Sequence, residues 1–109
     1  MIRIRVKGKP GQIEGFLIWG HARFASYGND IVCAGVSAVA LSALIGLSAQ
    51  IPGSIRYRIL PQGLIGCRVA KGLPEKEARD TQLILTVMVH GLKAIRRSHK
   101  DVVDFTYRR

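Results

Sequence analysis

Cys33 and His21 are the residues of this chain whose chemistry could form a reaction centre. Cys33 stands in the uncharged run that follows Asp30, and His21 follows Gly20 at the end of an apolar segment. A thiol with an imidazole within hydrogen-bond reach is the smallest nucleophile–base pair that supports acyl transfer. Spacing alone leaves the alternative open that Cys33 is a small core residue, because free cysteines are often buried in apolar helices.

A predicted helix positions the cysteine. Asp30 directly precedes the apolar run Ile31–Gln50, so we predict a helix over that run with Asp30 as its N-cap. Cys33 would then lie in the first turn, where the helix dipole and free backbone N–H groups favour a thiolate. Ser37 would lie one turn further along the same face, where its hydroxyl could bond to the sulfur or to the backbone.

Asp30 has two interpretations that the sequence leaves open. As an N-cap it organises the helix start, although its charge would then oppose a thiolate at Cys33. As a partner of His21 it would orient the imidazole and stabilise the imidazolium, which completes a triad-like arrangement.

The remaining segments predict a small α+β fold. Ile2, Ile4 and Val6 alternate with basic residues, which is typical of a strand with one polar face. We predict further strands at about 13–20, 55–59, 64–69 and 102–107, and a second helix at about 74–98. The order β-β-α-β-β-α-β predicts a small mixed sheet with two helices packed on one face. A length of 109 residues allows one domain, spanning 1–109, with its own core.

Two patterns on the helices predict their packing. Along the first helix, small residues recur every four positions, which would permit close packing: Ala34, Ala38, Ser42 and Gly46. On the second helix, apolar residues at helical spacing predict the buried face: Ile84, Val87, Met88, Gly91, Leu92 and Ile95.

Charge and hydropathy separate the classes of protein to which the chain could belong. The net charge is +10, from 17 Lys and Arg against 7 Asp and Glu, but 48% of the residues are hydrophobic, which excludes a disordered basic tail. The charge-free run at 31–51 is long enough to cross a bilayer. It contains many small residues and has no basic cluster or aromatic belt at its ends, so we favour a buried helix and expect no membrane partner.

The cysteine content and the N-terminus suggest a reducing compartment. The N-terminal residues alternate between apolar and basic, which differs from a signal peptide, so we expect a cytoplasmic protein with reduced thiols. Cys67 is expected to be a small packed residue in a strand. The three His and two Cys show no short ligand spacing, so we expect no metal and no cofactor.

Clusters of basic residues support a competing function, a non-catalytic RNA- or ribosome-binding module. Such clusters fit contacts with phosphates, although a solvated charged face is the commoner explanation, and 6% aromatic residues give little support for base stacking. One cluster ends the second helix and the chain: Lys93, Arg96, Arg97, His99, Lys100, Arg108 and Arg109. Another could line the outer strand face: Arg3, Arg5, Lys7, Arg56 and Arg58.

The sequence around the cysteine also resembles a known family. Gly20-His21-Ala22, followed by GNDIVCAGVSA at 28–38, closely resembles the bacterial ribosomal-processing cysteine proteases, the Prp family. That family carries a G-H-A motif and a G-x-D-I-V-C-A-x-V-S-A motif in chains of similar length. The likeness is sharp over residues 20–38, and the element order elsewhere is compatible. Gly35 stands where many relatives have Ala, which is a mild departure.

The resemblance implies a function and a set of site residues. It implies a cytosolic endopeptidase, typically a homodimer, that removes a short N-terminal extension from ribosomal large-subunit protein twenty-seven after bulky apolar residues. Cys33 would be the catalytic cysteine and His21 the catalytic histidine, with Gly20, Asp30 and Ser37 as the other signature positions. Backbone N–H groups at the helix start, including that of Cys33, are expected to hold the oxyanion.

Overall fold

The helices and strands follow one another in the predicted order. The computed structural model describes residues 1–20, 27–61 and 63–109, and of residues 27–30 it describes only the backbone. Within these residues there are five strands and two helices, so the predicted α+β class is confirmed. The strands are β1 (Ile2–Lys9), β2 (Gln12–Trp19), β3 (Ile55–Ile59), β4 (Ile65–Val69) and β5 (Val103–Arg108). The helices are α1 (Tyr27–Gln50) and α2 (Glu75–Ser98).

The strands form one mixed sheet in the order β3-β4-β2-β1-β5. β1 pairs antiparallel with β2 and parallel with β5, and β4 pairs antiparallel with both β2 and β3. The apolar residues Ile2, Ile4 and Val6 of β1 are buried, while Arg3 and Lys7 between them are exposed. β1 therefore presents one side to the core and the other to solvent, as the alternating pattern predicts.

The two helices cover the core side of the sheet and run antiparallel to each other. Gly35 of α1 lies near Ile95 of α2, and Val39 lies near Gly91. Later residues of α1 thus contact earlier residues of α2, which is the pattern of antiparallel helices. The core is a continuous apolar cluster to which both helices and all five strands contribute. The fully buried large side chains at its centre are Ile4, Val6, Val36, Leu44, Leu47, Leu85 and Leu92.

The first helix begins earlier than the sequence predicts. α1 starts at Tyr27, so Asp30 lies inside the helix and the prediction that Asp30 is its N-cap is wrong. The residues before Asp30 include Gly28 and Asn29, which have low helix propensity and no apolar period. The sequence pattern therefore gives no sign of the first helical turn, which is continuous with the rest of α1.

The exposure of the helix faces corrects the predicted buried face of α2. Val87 on α2 is 64% exposed, and Leu83 one turn before it is equally exposed, so Val87 does not belong to the buried face. Apolar residues occupy all sides of α2 in this stretch, which makes the period ambiguous. On α1, Ala38 and Ser42 of the small-residue stripe are exposed, and the close contact between α1 and α2 is made at Gly91. The buried residues of α2 are Thr81, Leu85, Met88, Val89 and Leu92.

The segment Ile31–Gln50 of α1 is long and apolar enough to cross a membrane by length and composition. One side of this segment is packed into the core, where Val32, Val36, Leu44 and Leu47 are buried. Core packing therefore accounts for the apolar residues on that side of the helix.

Candidate active site

The chain makes a constrained turn directly before His21. Gly20 has a φ of +96°, a backbone conformation that residues with a side chain rarely adopt. A Cβ at this position would also collide with the backbone carbonyl oxygen of Met1. Gly20 follows β2, which is held in register by the pairing of Trp19 with Arg3. The glycine therefore fixes the path by which the chain leaves the sheet towards His21.

Cys33 lies at the boundary between the buried and the exposed sides of α1. Its side chain is half-buried and packs against the core cluster. Ser37 and Leu41 follow at intervals of one turn and are also half-buried, so the three residues form one flank of the helix. This placement anchors the thiol against the core and leaves it partly accessible.

Leu41 is the member of this flank that sequence reasoning missed. The signal was present in the spacing, because Cys33, Ser37 and Leu41 recur every four residues. The flank lies away from the helix contact, which is made by Gly35 and Val39 on another side of α1. The apolar side chain of Leu41 therefore lies on the same flank of α1 as the thiol, two turns further along the helix.

The structure describes the predicted site residues to different extents. It places Cys33 and Ser37 on one flank of α1, and the Ser37 hydroxyl makes no hydrogen bond to another described residue. Asp30 lies in the first turn of α1, and only its backbone is described. His21 lies outside the described residues, so its pairing with Cys33 and its orientation by Asp30 stay predictions.

The earlier helix start changes the electrostatic argument for Cys33. The field of the helix dipole is strongest in the first turn, and the backbone N–H groups without a helical partner are the first four. Cys33 stands beyond both, because α1 begins at Tyr27. The expectation that Cys33 lies in the first turn is wrong, and its own N–H falls within the hydrogen-bond ladder of the helix rather than at its free end.

Cys67 is the second thiol and has a different environment. It lies on the core-facing side of β4, paired with Phe16 of β2 and Tyr57 of β3, and it packs against the core. Burial disfavours the charged form and raises the pKa of Cys67 to about 12. Both cysteines are free thiols. The prediction that Cys67 is a small packed residue is confirmed.

Comparisons with known proteins identify the family of the chain. The family model of the cysteine protease Prp matches residues 1–104. The ribosomal processing cysteine protease Prp of Bacillus subtilis (strain 168) is 36% identical over 105 residues, covering 86% of this chain and 85% of that protein. The protein of the same name from Staphylococcus aureus (strain Mu50 / ATCC 700699) is 32% identical over 101 residues, covering 90% of each.

Solved structures share the fold. The essential ribosomal processing protease Prp from S. aureus, in complex with a substrate peptide, superposes with a TM-score of 0.83 at 24% identity, over 99% of this chain and 100% of that one. SMU.848 from Streptococcus mutans superposes with a TM-score of 0.82 at 21% identity, over 99% and 94% of the two chains. With the family match over nearly the whole length and relatives above 30% identity, the chain belongs to the Prp family of ribosomal processing cysteine proteases.

Proposed function

We propose that this chain is an endopeptidase in which Cys33 is the nucleophile and His21 its base. The observation that carries the proposal is the position of Cys33, half-buried on an accessible flank of α1 in a member of a cysteine-protease family. Cys67 is the poorer candidate, since its pKa of about 12 keeps it protonated at neutral pH. Family membership also argues against the alternative of a non-catalytic binding module.

The proposed reaction is a two-step acyl transfer. His21 takes the proton from the Cys33 thiol, and the sulfur attacks the scissile carbonyl carbon. His21 then gives that proton to the leaving amine as the C–N bond breaks, which leaves a thioester on Cys33. His21 next takes a proton from water, and the resulting hydroxide attacks the thioester. The acid product leaves, and the Cys33 sulfur recovers its proton.

The tetrahedral intermediate needs hydrogen-bond donors for its oxyanion. The N–H of Cys33 is a weaker candidate than the sequence suggested, because α1 begins at Tyr27 and Cys33 lies within the helical ladder. Residues 27–30 carry the backbone N–H groups at the free end of α1, and we propose that donors come from this turn or from the residues before it. Asp30 in this turn would orient His21 or support the helix dipole.

The proposed substrate is ribosomal large-subunit protein twenty-seven with an N-terminal extension. The family resemblance implies cleavage after bulky apolar residues. Leu41, on the same flank of α1 as Cys33 and Ser37, would offer such residues an apolar contact. Two structures of S. aureus Prp, one in complex with a substrate peptide and one with a covalently linked product peptide, support peptide binding by this fold.

Cleavage of the extended ribosomal protein, followed by intact mass spectrometry, tests the proposal. Cys33→Ala and His21→Ala should each lower the rate by at least about a thousandfold, because a nucleophile and its base act as a unit. Cys67→Ala removes the same side chain type from the core-facing side of β4 and should retain activity. Full activity of either Cys33→Ala or His21→Ala would overturn the assignment.

We also propose that the protein is a homodimer in which α1 supplies the interface. Ala34, Ala38 and Ser42 of the small-residue stripe are exposed, so the described part of the chain leaves most of the stripe unpacked. Ile31 and Ile45 beside the stripe are 64% and 58% exposed. A long uncharged helix face of this kind would pack closely against a second copy.

Light scattering on a sizing column tests the dimer. The molar mass measured by light scattering should be twice the 12.0 kDa of one chain. Ala38→Glu should convert the protein to a monomer by placing a charge in the interface. Ala94→Glu makes the same change on an exposed position of α2 and should leave the dimer intact. A wild-type monomer, or equal behaviour of the two variants, would contradict this interface.

The proposed place of work is the cytoplasm, beside the ribosome. The substrate is a ribosomal protein, and the net charge of +10 would favour contact with ribosomal RNA. That contact would add to catalysis rather than replace it.

A further inference from the structure

The face of the sheet that the helices leave open carries its basic residues in ordered rows. One row crosses all five strands, because successive pairings join Arg56, Arg68, Gly15, Lys7 and Arg108. Neighbouring strands lie about 4.8 Å apart, so this row spans roughly 19 Å. It holds four cations and no acidic residue.

A second row runs parallel to the first. It joins residues of the same five strands and adds two further guanidinium groups: Arg58, Gly66, Leu17, Arg5 and Thr106. Beyond it, Arg3 pairs with Trp19 on one side and with Asp104 on the other. Asp104 bonds to Arg5, with 2.7 Å between Oδ2 and Nη2. The two rows therefore keep a large positive excess.

Most cations of this face have no counter-charge among the residues that the structure describes. Apart from Arg5, none of them makes an ion pair with another residue that the structure describes. Arg56 stands directly opposite Arg68, and Lys7 directly opposite Arg108, although like charges facing each other across strands are destabilising. Folding alone does not explain this arrangement, whereas an anionic partner would. The exposed cations are Arg3, Lys7, Arg56, Arg58, Arg68 and Arg108.

The face is also grooved between its basic margins. Gly15 and Gly66 remove side chains from the two middle strands, and Leu17 between them is 47% exposed. A cavity of about 920 Å³ runs beside Gly15 and Leu17 and continues to Ala78 and Gln82 of α2. Its lining contains one acidic residue, Glu14, against six cations: Arg5, Lys7, Arg68, Lys71, Arg108 and Arg109. A second cavity of about 380 Å³ adjoins it and shares Leu17 and Arg68.

We propose that the open face of the sheet binds RNA. Arginines on the margins would contact phosphates, since a guanidinium matches phosphate geometry through paired donors. The glycine-floored groove would admit the sugar and base, and Trp19, held under Arg5 at 5.6 Å, would offer an aromatic surface for stacking. A groove with charged margins suits a chain-like polyanion better than a flat lipid surface. The inference deepens the proposed contact with ribosomal RNA and rests on it for the choice of RNA.

Fluorescence anisotropy with a labelled single-stranded RNA of twenty nucleotides tests the proposal across a range of KCl concentrations. Arg56→Gln with Arg68→Gln should weaken binding by about tenfold or more at low salt and reduce the slope of log K against log salt by roughly 1.4. Arg96→Gln with Arg97→Gln removes the same charge from exposed positions of α2 and should change affinity by less than about twofold. Equal losses in the two double variants, or no binding by the wild type, would overturn the proposal.

Three controls separate this inference from others. Arg56→Gln with Arg68→Gln should melt no lower than the wild type, because it relieves a repulsion, and it should cleave the free extended protein at the wild-type rate. A wild type that binds RNA but cleaves nothing would contradict the proposed protease function and leave RNA binding standing. Sedimentation with phosphatidylglycerol-containing vesicles tests a lipid partner. A loss of vesicle binding in this variant that exceeds the loss of RNA binding would assign the face to a membrane and overturn the proposal.

Discussion

Val39 of α1 and Gly91 of α2 meet so closely that a Cβ on Gly91 would lie 3.1 Å from Cγ1 of Val39. One turn earlier on α1, a Cβ on Gly35 would lie 3.8 Å from Cδ1 of Ile95, which is an ordinary contact. Both glycines are helical and face the other helix, but only at Gly91 would an added Cβ force its neighbour to shift. The tighter of these two contacts between the helices lies further along α1 than Cys33.

Gly35→Ala should stabilise the protein. Glycine within a helix costs about 0.5–1 kcal/mol relative to alanine, and the added methyl group finds room beside Ile95. Urea denaturation should therefore show an increase of that size in the free energy of unfolding. Gly91→Ala offers the same helix propensity, but Val39 must move to admit it. Equal stabilisation by the two substitutions would contradict the described contact.

Gly20→Ala should damage both stability and catalysis. The substitution places a side chain at a φ of +96° and drives it into the Met1 carbonyl, so the chain leading to His21 must shift. Gly53→Ala is the control, because Gly53 has a φ of +85° but nothing within 4 Å of an added Cβ. We expect both variants to lose stability by about 1 kcal/mol or more. The loss of cleavage rate per folded molecule should be confined to Gly20→Ala, and an unchanged rate there would argue against a positioning role.

Gln82→Ala should destabilise the junction of α2 with β2. The Gln82 amide donates to the Ile13 carbonyl oxygen at 2.9 Å and accepts from the Ile13 N–H at 2.8 Å. Its removal leaves both backbone groups without these partners, at a cost of about 1–3 kcal/mol in the free energy of unfolding. Gln50→Ala at the exposed end of α1 should change that energy by less than about 0.5 kcal/mol. Similar values for the two variants in urea melts would show that the Gln82 bonds contribute nothing.

Much of the fold follows from patterns local to each element. Ile2, Ile4 and Val6 alternate with basic residues, so β1 and its buried face could be predicted from period alone. The exposure of Val87 could not be predicted, because apolar residues occur on every side of α2 in this stretch. Only tertiary contacts decide which of them are buried. The two faces of the sheet are also a tertiary property. Arg68 joins Arg56 and Lys7 in one row through pairings between strands far apart in sequence.

The sequence proposes the residues of the candidate site but not their geometry. The motif around Cys33 identified the thiol and Ser37, and the structure places both on one flank of α1. The helix start was misjudged, because Gly28 and Asn29 give no helical signal although they lie within α1. The motif also contains Gly20, but the need for a glycine there comes from the closeness of the Met1 carbonyl, which no local pattern contains.

The two thiols should differ in the pH dependence of their reactivity. Burial raises the pKa of Cys67 to about 12, so in the folded protein it stays protonated at neutral pH. Only the thiolate is nucleophilic, so the alkylation rate of Cys67 should rise by about tenfold for each pH unit between pH 7 and 10 without levelling. Peptide mass spectrometry after iodoacetamide pulses measures this rate. A plateau below pH 10 would contradict the effect of burial at Cys67.

The pairing of Cys33 with His21 is tested most directly by the rate at which iodoacetamide alkylates Cys33 at pH 7, with Cys67 as the internal reference. A base within reach of the sulfur should make Cys33 react at least about a hundredfold faster than Cys67, and His21→Ala should slow it by about tenfold or more. His90→Ala, at an exposed position of α2, is the matched control and should leave the rate unchanged. A Cys33 that reacts no faster than Cys67, or equally fast with and without the His21 side chain, would contradict the account.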